Sequence, residues 1–123
     1  MKTLALGLAA AALALAPVAP ALAAGKSATI SFEVPGADKA TSTKETYTCA
    51  DQTVDVEYIN AGNTSLALLT FKDEFVVAAN VLAGSGAKYA GDQYIWWTKG
   101  MTDATLTNLM TDSQTPVECT AKK

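Results

Sequence analysis

Thr53-Val54-Asp55-Val56-Glu57-Tyr58-Ile59 decides the fold. Val54, Val56 and Tyr58 alternate with Asp55 and Glu57, so a strand here has one apolar face to bury and one charged face to leave in water. Asn60, Ala61, Gly62 and Asn63 supply turn chemistry directly after it. The next two apolar runs, Thr64 to Phe71 and Glu74 to Leu82, are joined by Lys72-Asp73 and read as a hairpin with a charged tip. A buried helix over Leu66 to Leu82 is the competing reading. The β-branched and aromatic content and the break at Lys72 to Glu74 favour strands.

Outward from this centre the same period recurs. Ile30, Phe32 and Val34 share one face of a candidate strand, Thr29 to Val34, that Pro35-Gly36 ends. Ala37 to Lys44 is polar and is expected to be a mobile loop. Gly84, Ser85, Gly86 and Ala87 make a loop too rich in glycine for a strand. Gln93 to Thr98, Asp103 to Met110 and Val117 to Thr120 complete the set, with Lys99-Gly100 as a turn. About eight short antiparallel strands result, a number that closes into a small barrel filled by its own side chains. A two-sheet sandwich is the alternative all-β arrangement.

The N-terminus has a different character. Met1-Lys2 precede an Ala/Leu run to Leu15, then Pro17, Pro20 and the small-residue site Ala21-Leu22-Ala23. Residues 1–23 are expected to be a cleaved secretory signal peptide, and residues 24–123 a single domain in the periplasm. Two prolines and the lack of a stop-transfer charge cluster argue against a retained anchor. No cysteine precedes Cys49, so the cleavage site offers no thiol for a lipid. An exported chain with two cysteines is expected to pair them, and a Cys49–Cys119 disulfide would close a 70-residue segment.

Composition excludes several functions. The chain has no histidine, hence no imidazole base, no Ser/His or Cys/His pair and no ordinary zinc site. The carboxylates Asp55/Glu57 and Asp73/Glu74 lack the apolar setting that would split their acidities for acid–base work. No enzyme activity, metal or cofactor is implied. Without residues 1–23 the chain keeps eight lysines against 12 acids. Nucleic acid is therefore not an expected partner, and long-range attraction favours a basic protein.

The most specific segment is SGAKYAGDQYIWWTKG, residues 85–100. It resembles the family of periplasmic and membrane-bound inhibitors of c-type lysozyme. The family pattern SGxxY is matched by Ser85, Gly86 and Tyr89, and YxxxTKG by Tyr94, Thr98, Lys99 and Gly100. The similarity extends through YTCADQTVDVEYINAG, residues 47–62, and covers most of residues 45–120. Residues before Thr43 carry none of it.

The resemblance implies an antiparallel barrel, no catalysis, and a basic partner, c-type lysozyme, whose cleft holds one protonated and one ionised carboxyl group. Ser85 and Lys99 are the residues the resemblance places against those groups. Gly86 lets the loop turn without a side chain, Tyr89 and Tyr94 brace it, and Lys88 adds a contact, with Asp92 as its candidate partner. Thr98 and Gly100 complete the set of target-binding candidates. One of Trp96 and Trp97 must face the core and the other outward, an order the pattern leaves open. A small-ligand barrel that uses its mouth is the alternative function.

Overall fold

The computed structural model describes residues 25–100 and 102–123. The expected signal peptide, residues 1–23, lies outside the described residues. Eight strands follow one another: β1 Ala40–Cys49, β2 Gln52–Ala61, β3 Thr64–Thr70, β4 Phe75–Val81, β5 Ala87–Gly91, β6 Tyr94–Lys99, β7 Asp103–Asn108 and β8 Val117–Ala121. Each pairs antiparallel with the next, and β8 returns to β1, which closes the barrel. No described helix is long and apolar enough to cross a membrane.

Alternation fills the interior. Tyr47, Val54, Val56, Leu69, Val76, Trp96, Leu106 and their neighbours point inward and are almost fully buried. Burial of such side chains contributes about 1.5–3 kcal/mol each before the entropy of ordering is set against it. The polar atoms inside are matched. Trp96 Nε1 donates to Tyr58 Oη at 2.9 Å, and the Tyr47 and Tyr58 hydroxyls share a hydrogen bond of 2.9 Å. Tyr47 meets Trp96 edge to face with ring centroids 4.9 Å apart. Among the described residues no buried side-chain nitrogen or oxygen lacks a partner, as a small core requires.

The seam is short and covalently reinforced. The β1–β8 ladder has three pairs, Tyr47↔Ala121, Thr48↔Thr120 and Cys49↔Cys119, continued by Lys122 N donating to Thr46 O at 2.8 Å, and Cys49–Cys119 is the disulfide, with Cα atoms 4.2 Å apart.

Three sequence expectations are corrected. Thr29 to Val34 alternates but forms no ladder, and Phe32 is exposed. The Pro35-Gly36 turn that follows is present, with Ala37 N donating to Val34 O and Gly36 at φ 81°. Ala37 to Lys44 is not a loop throughout, because Ala40–Lys44 is the first half of β1 and pairs with Glu57–Ala61. Ser42 and Thr46 donate to Glu57 and Asp55 across this ribbon, so hydroxyl–carboxylate pairs replace apolar contact there. A further strand missed by the sequence reading is β5, whose central Tyr89 points into the core between small residues.

Candidate functional site

In an up-and-down antiparallel barrel alternate connections lie at the same end. The β4–β5 loop, which carries Ser85-Gly86, and the β6–β7 turn, which begins at Gly100, therefore share one end with the β2–β3 turn. The two sequence motifs meet there in space.

They do so by direct packing. Gly86 has φ 66°, a left-handed conformation that L side chains rarely take, and a Cβ on it would overlap the carbonyl oxygen of Thr98. Trp97 Nε1 donates to the carbonyl oxygen of Ser85 at 2.9 Å. Thr98 Oγ1 donates to the carbonyl of Ala87 at 3.3 Å. Ser85 and Gly86 are exposed, as are Lys99 and Gly100, while Thr98 is buried beneath them. The arrangement is a thin projection on a rigid base.

Strand order settles the tryptophans. Trp96 is wholly buried, and Trp97 lies on the outer face. Lys88, its cross-strand partner on β5, and Lys99, two residues along β6, place their ammonium groups 5.1 and 5.2 Å from the Trp97 ring centroid. Both cations fall within the range of attraction to an aromatic face. Sequence alternation identifies one outward tryptophan but is silent on which lysines the topology brings to it.

Tyr89 faces inward below the loop, 6.0 Å from Tyr58 by ring centroids. Burial pushes the phenols of Tyr89 and Tyr58 above their ordinary range, and for Tyr58 the hydrogen bond with Tyr47 pushes further. These groups stay neutral donors and acceptors at any physiological pH.

Tyr94 is not brought to the cluster. It starts β6, roughly 13 Å of strand away from Thr98. At that opposite end it stacks on Phe71 at 4.8 Å and donates to Glu74 at 2.9 Å. Its expected brace to the Ser85 loop is thus replaced by a contact with the β3–β4 turn. Asp92 sits in the β5–β6 turn, also at that far end, and Lys88 meets Trp97 instead. Among the described residues the one ion pair is Lys44–Glu57, at 3.9 Å.

A cavity of about 230 Å³ opens at the motif end, lined by Glu45, Tyr47, Tyr58, Asn60, Tyr89 and Thr98 among others. Tyr47 and Tyr89, which line it, also belong to the packed core. Nor do those residues gather three or more Cys, Asp or Glu side chains where a metal ion could be held. Asp55 and Glu57 accept hydrogen bonds on the outer face, the solvated role expected of them.

Comparison with known proteins gives one consistent result. Residues 47–115 match the family model described as membrane-bound lysozyme-inhibitor of c-type lysozyme. A membrane-bound lysozyme inhibitor of C-type lysozyme from Pseudomonas aeruginosa is 44% identical over 75 residues, which cover 59% of this chain and 58% of that protein. A protein of the same description from Cupriavidus necator is 38% identical over 65 residues, 52% of this chain and 51% of its own length. The chain thus spans a little over half the length of these two relatives. A crystal structure of Pseudomonas aeruginosa MliC in complex with hen egg white lysozyme is similar over 79% of this chain and 100% of that one, with a TM-score of 0.65 and 36% identity.

Proposed function

The chain belongs to the family of membrane-bound inhibitors of c-type lysozyme, and from that premise we propose that it is a proteinaceous inhibitor that plugs the active-site cleft of such an enzyme. The observation that carries this reading is the convergence of Ser85-Gly86 and Thr98-Lys99-Gly100 on one projection, tied together through Gly86, Trp97 and Thr98. The solved complex of a similar chain with hen egg white lysozyme supports the class of partner.

The chemistry of the target explains the residue types. A c-type lysozyme cleft holds one carboxyl group kept protonated by an apolar setting and one that is ionised. The Lys99 ammonium meets the ionised group, an attraction that strengthens as the plug expels water. The Ser85 hydroxyl both donates and accepts, which suits the protonated group. Gly86 keeps the projection thin. Because the loop is already folded against β6, little ordering remains for the moment of binding. No bond is made or broken, so inhibition is stoichiometric and reversible.

The same reading takes residues 1–23 as an export signal and the remainder as a soluble periplasmic protein, whereas the two relatives are described as membrane-bound. The mass of the exported protein tests it, since cleavage after Ala23 removes a defined segment.

The functional test is hydrolysis of bacterial cell wall by a c-type lysozyme, titrated with the exported protein. Loss of activity near one equivalent is expected. Lys99→Ala should weaken inhibition by about 2–5 kcal/mol, because it strands an enclosed carboxylate. Ser85→Ala should cost about 1 kcal/mol, the worth of a neutral hydrogen bond. Full lysozyme activity at large excess would refute the proposal.

A further inference from the structure

The two turns that form the projection belong to different connections, and nothing in strand pairing alone fixes one against the other. The β5–β6 ladder ends at Ala87↔Thr98, so Ser85 and Gly86 lie beyond its last rung. One side chain crosses that gap. Trp97 sits on the outer face of β6, reaches past the end of β5, and donates its indole N–H to the carbonyl oxygen of Ser85 at 2.9 Å. Its Nε1 also lies 3.2 Å from where a Gly86 Cβ would be, so the indole edge fills the space that glycine leaves open. On the same ring rest Lys88, from the loop side, and Lys99, from the turn side.

We propose that Trp97 is the positioning residue of the projection, holding the Ser85 loop by its indole N–H and the Lys99 and Lys88 ammonium groups by its ring. This deepens the inhibitor reading and rests on it. Trp97 belongs to neither motif pattern as a named position, and its side chain is only half-buried, so its role is not that of a core residue. A backbone carbonyl is its hydrogen-bond partner, which means that Ser85 can be changed to alanine without removing the tether. The ring replaces a salt bridge as the anchor for the lysines. A carboxylate there would neutralise the cations that face the target, whereas an aromatic face holds them and leaves their charge intact.

The tether acts by raising the fraction of molecules whose loop is ready to bind. If its loss lets the loop occupy other conformations nine-tenths of the time, apparent affinity falls about tenfold with no contact to the enzyme removed. The loss should grade with what the substitute keeps. Trp97→Phe retains a ring for the lysines but no donor, and Trp97→Leu retains neither.

Two measurements decide the matter. The first needs no lysozyme: in the free, isotopically labelled protein the Trp97 indole proton should exchange slowly for a half-buried group. In Trp97→Phe the backbone order parameters of the Ser85 and Gly86 amides should fall, while those of β2 and β3 stay as they were. Unchanged loop amides would overturn the proposal, and so would a general fall across the barrel, which is the mark of a merely structural residue.

The second is the kinetics of lysozyme binding. Trp97→Phe is expected to raise Kd about tenfold and Trp97→Leu more, with the loss carried by the association rate because fewer molecules are ready to bind. A loss confined to the dissociation rate would make Trp97 a direct contact with the enzyme and overturn positioning. Should the wild-type protein leave lysozyme fully active, the inhibitor reading fails by itself, and the measurement on the free protein still judges the tether.

Discussion

Gly86 lies so close against Thr98 that a methyl group on it would overlap the Thr98 carbonyl oxygen. The contact joins a loop residue at φ 66° to a buried strand residue, so both backbone conformation and space demand glycine. Gly86→Ala should therefore cost at least the ~1–2 kcal/mol of a left-handed alanine, plus whatever backbone shift relieves the overlap. Inhibition should fall more than tenfold, and denaturant unfolding should show a lower midpoint with unchanged slope. Gly100 has φ 85° but open space around its Cβ position, so Gly100→Ala carries the conformational cost alone. Equal losses in the two variants would show that the Gly86–Thr98 packing is not what glycine is there for.

The disulfide has a similarly local meaning. Cys49 and Cys119 are buried and face each other across the three-rung seam. Closing a 70-residue segment limits the unfolded chain by about 4 kcal/mol in the entropy model, a large part of the stability of so small a domain. Reduction should lower the unfolding free energy by several kcal/mol. Hydrogen exchange should speed up first in β8 and the C-terminal part of β1, because three rungs cannot hold the barrel shut alone. Uniform acceleration through β2, β3 and β4 would mean that the seam is not the weak point.

How far the molecule could be read in advance follows from where its physics is local. Val54, Val56 and Tyr58 declare a half-buried strand because their burial face is continuous, and the Lys72-Asp73 hairpin is equally plain. The count of about eight strands holds by exchange and addition: Thr29 to Val34 drops out, Ala87–Gly91 comes in, and Ala40–Cys49 is added. The first has a strand's alternation without a paired neighbour. The second has one large inward residue, Tyr89, among Ala and Gly, too little for a period to show. Ala40–Lys44 is a strand whose side chains are exposed on both faces, so hydropathy carries no trace of it. At the site, motif spacing names Ser85, Gly86, Thr98 and Lys99, yet the pairing of Trp97 with Ser85, Lys88 and Lys99 depends on register between strands. Tyr94 matches its motif and still lies at the wrong end, because four residues along a strand span most of the barrel's height.

The β1–β2 turn offers a gain in stability. Cys49 pairs with Gln52, leaving Ala50-Asp51 as a two-residue loop in which only Ala50 has positive φ, at 55°. That pattern matches a type II′ turn, which favours glycine at its first central position. Ala50→Gly removes the strain of a left-handed alanine but adds freedom to the unfolded chain, so a net gain of about 0.5–1 kcal/mol is expected. The turn lies at the far end from the projection, and lysozyme inhibition should be unaltered. A fall in thermal midpoint would show that Ala50 makes contacts that matter more than its backbone angle.

All four tyrosines have phenols pushed above their ordinary value, chiefly by burial and, for Tyr94, also by its hydrogen bond with Glu74. The sign of the linkage follows. Below pH 10 every tyrosine is protonated in both the folded and unfolded states, so their contribution to stability is constant and fully present. Above it the unfolded chain releases protons that the barrel retains, and each tyrosine lowers stability by up to about 1.4 kcal/mol per pH unit until its own folded pKa is passed. With no histidine in the chain, unfolding free energy should vary little from pH 6 to 9 and fall steeply beyond 10. Absorbance at 295 nm should show little tyrosinate in the native protein at pH 10, then appear together with the loss of the fold. Tyr58→Phe tests the interior of this set. It leaves Trp96 Nε1 without its acceptor, so it should cost about 1–3 kcal/mol at neutral pH, and it should make the alkaline fall less steep by one tyrosine. A gradual native-state titration near pH 10 would mean that water reaches the three tyrosines of the mouth, and the rigid base assigned to the Ser85 loop would go with it.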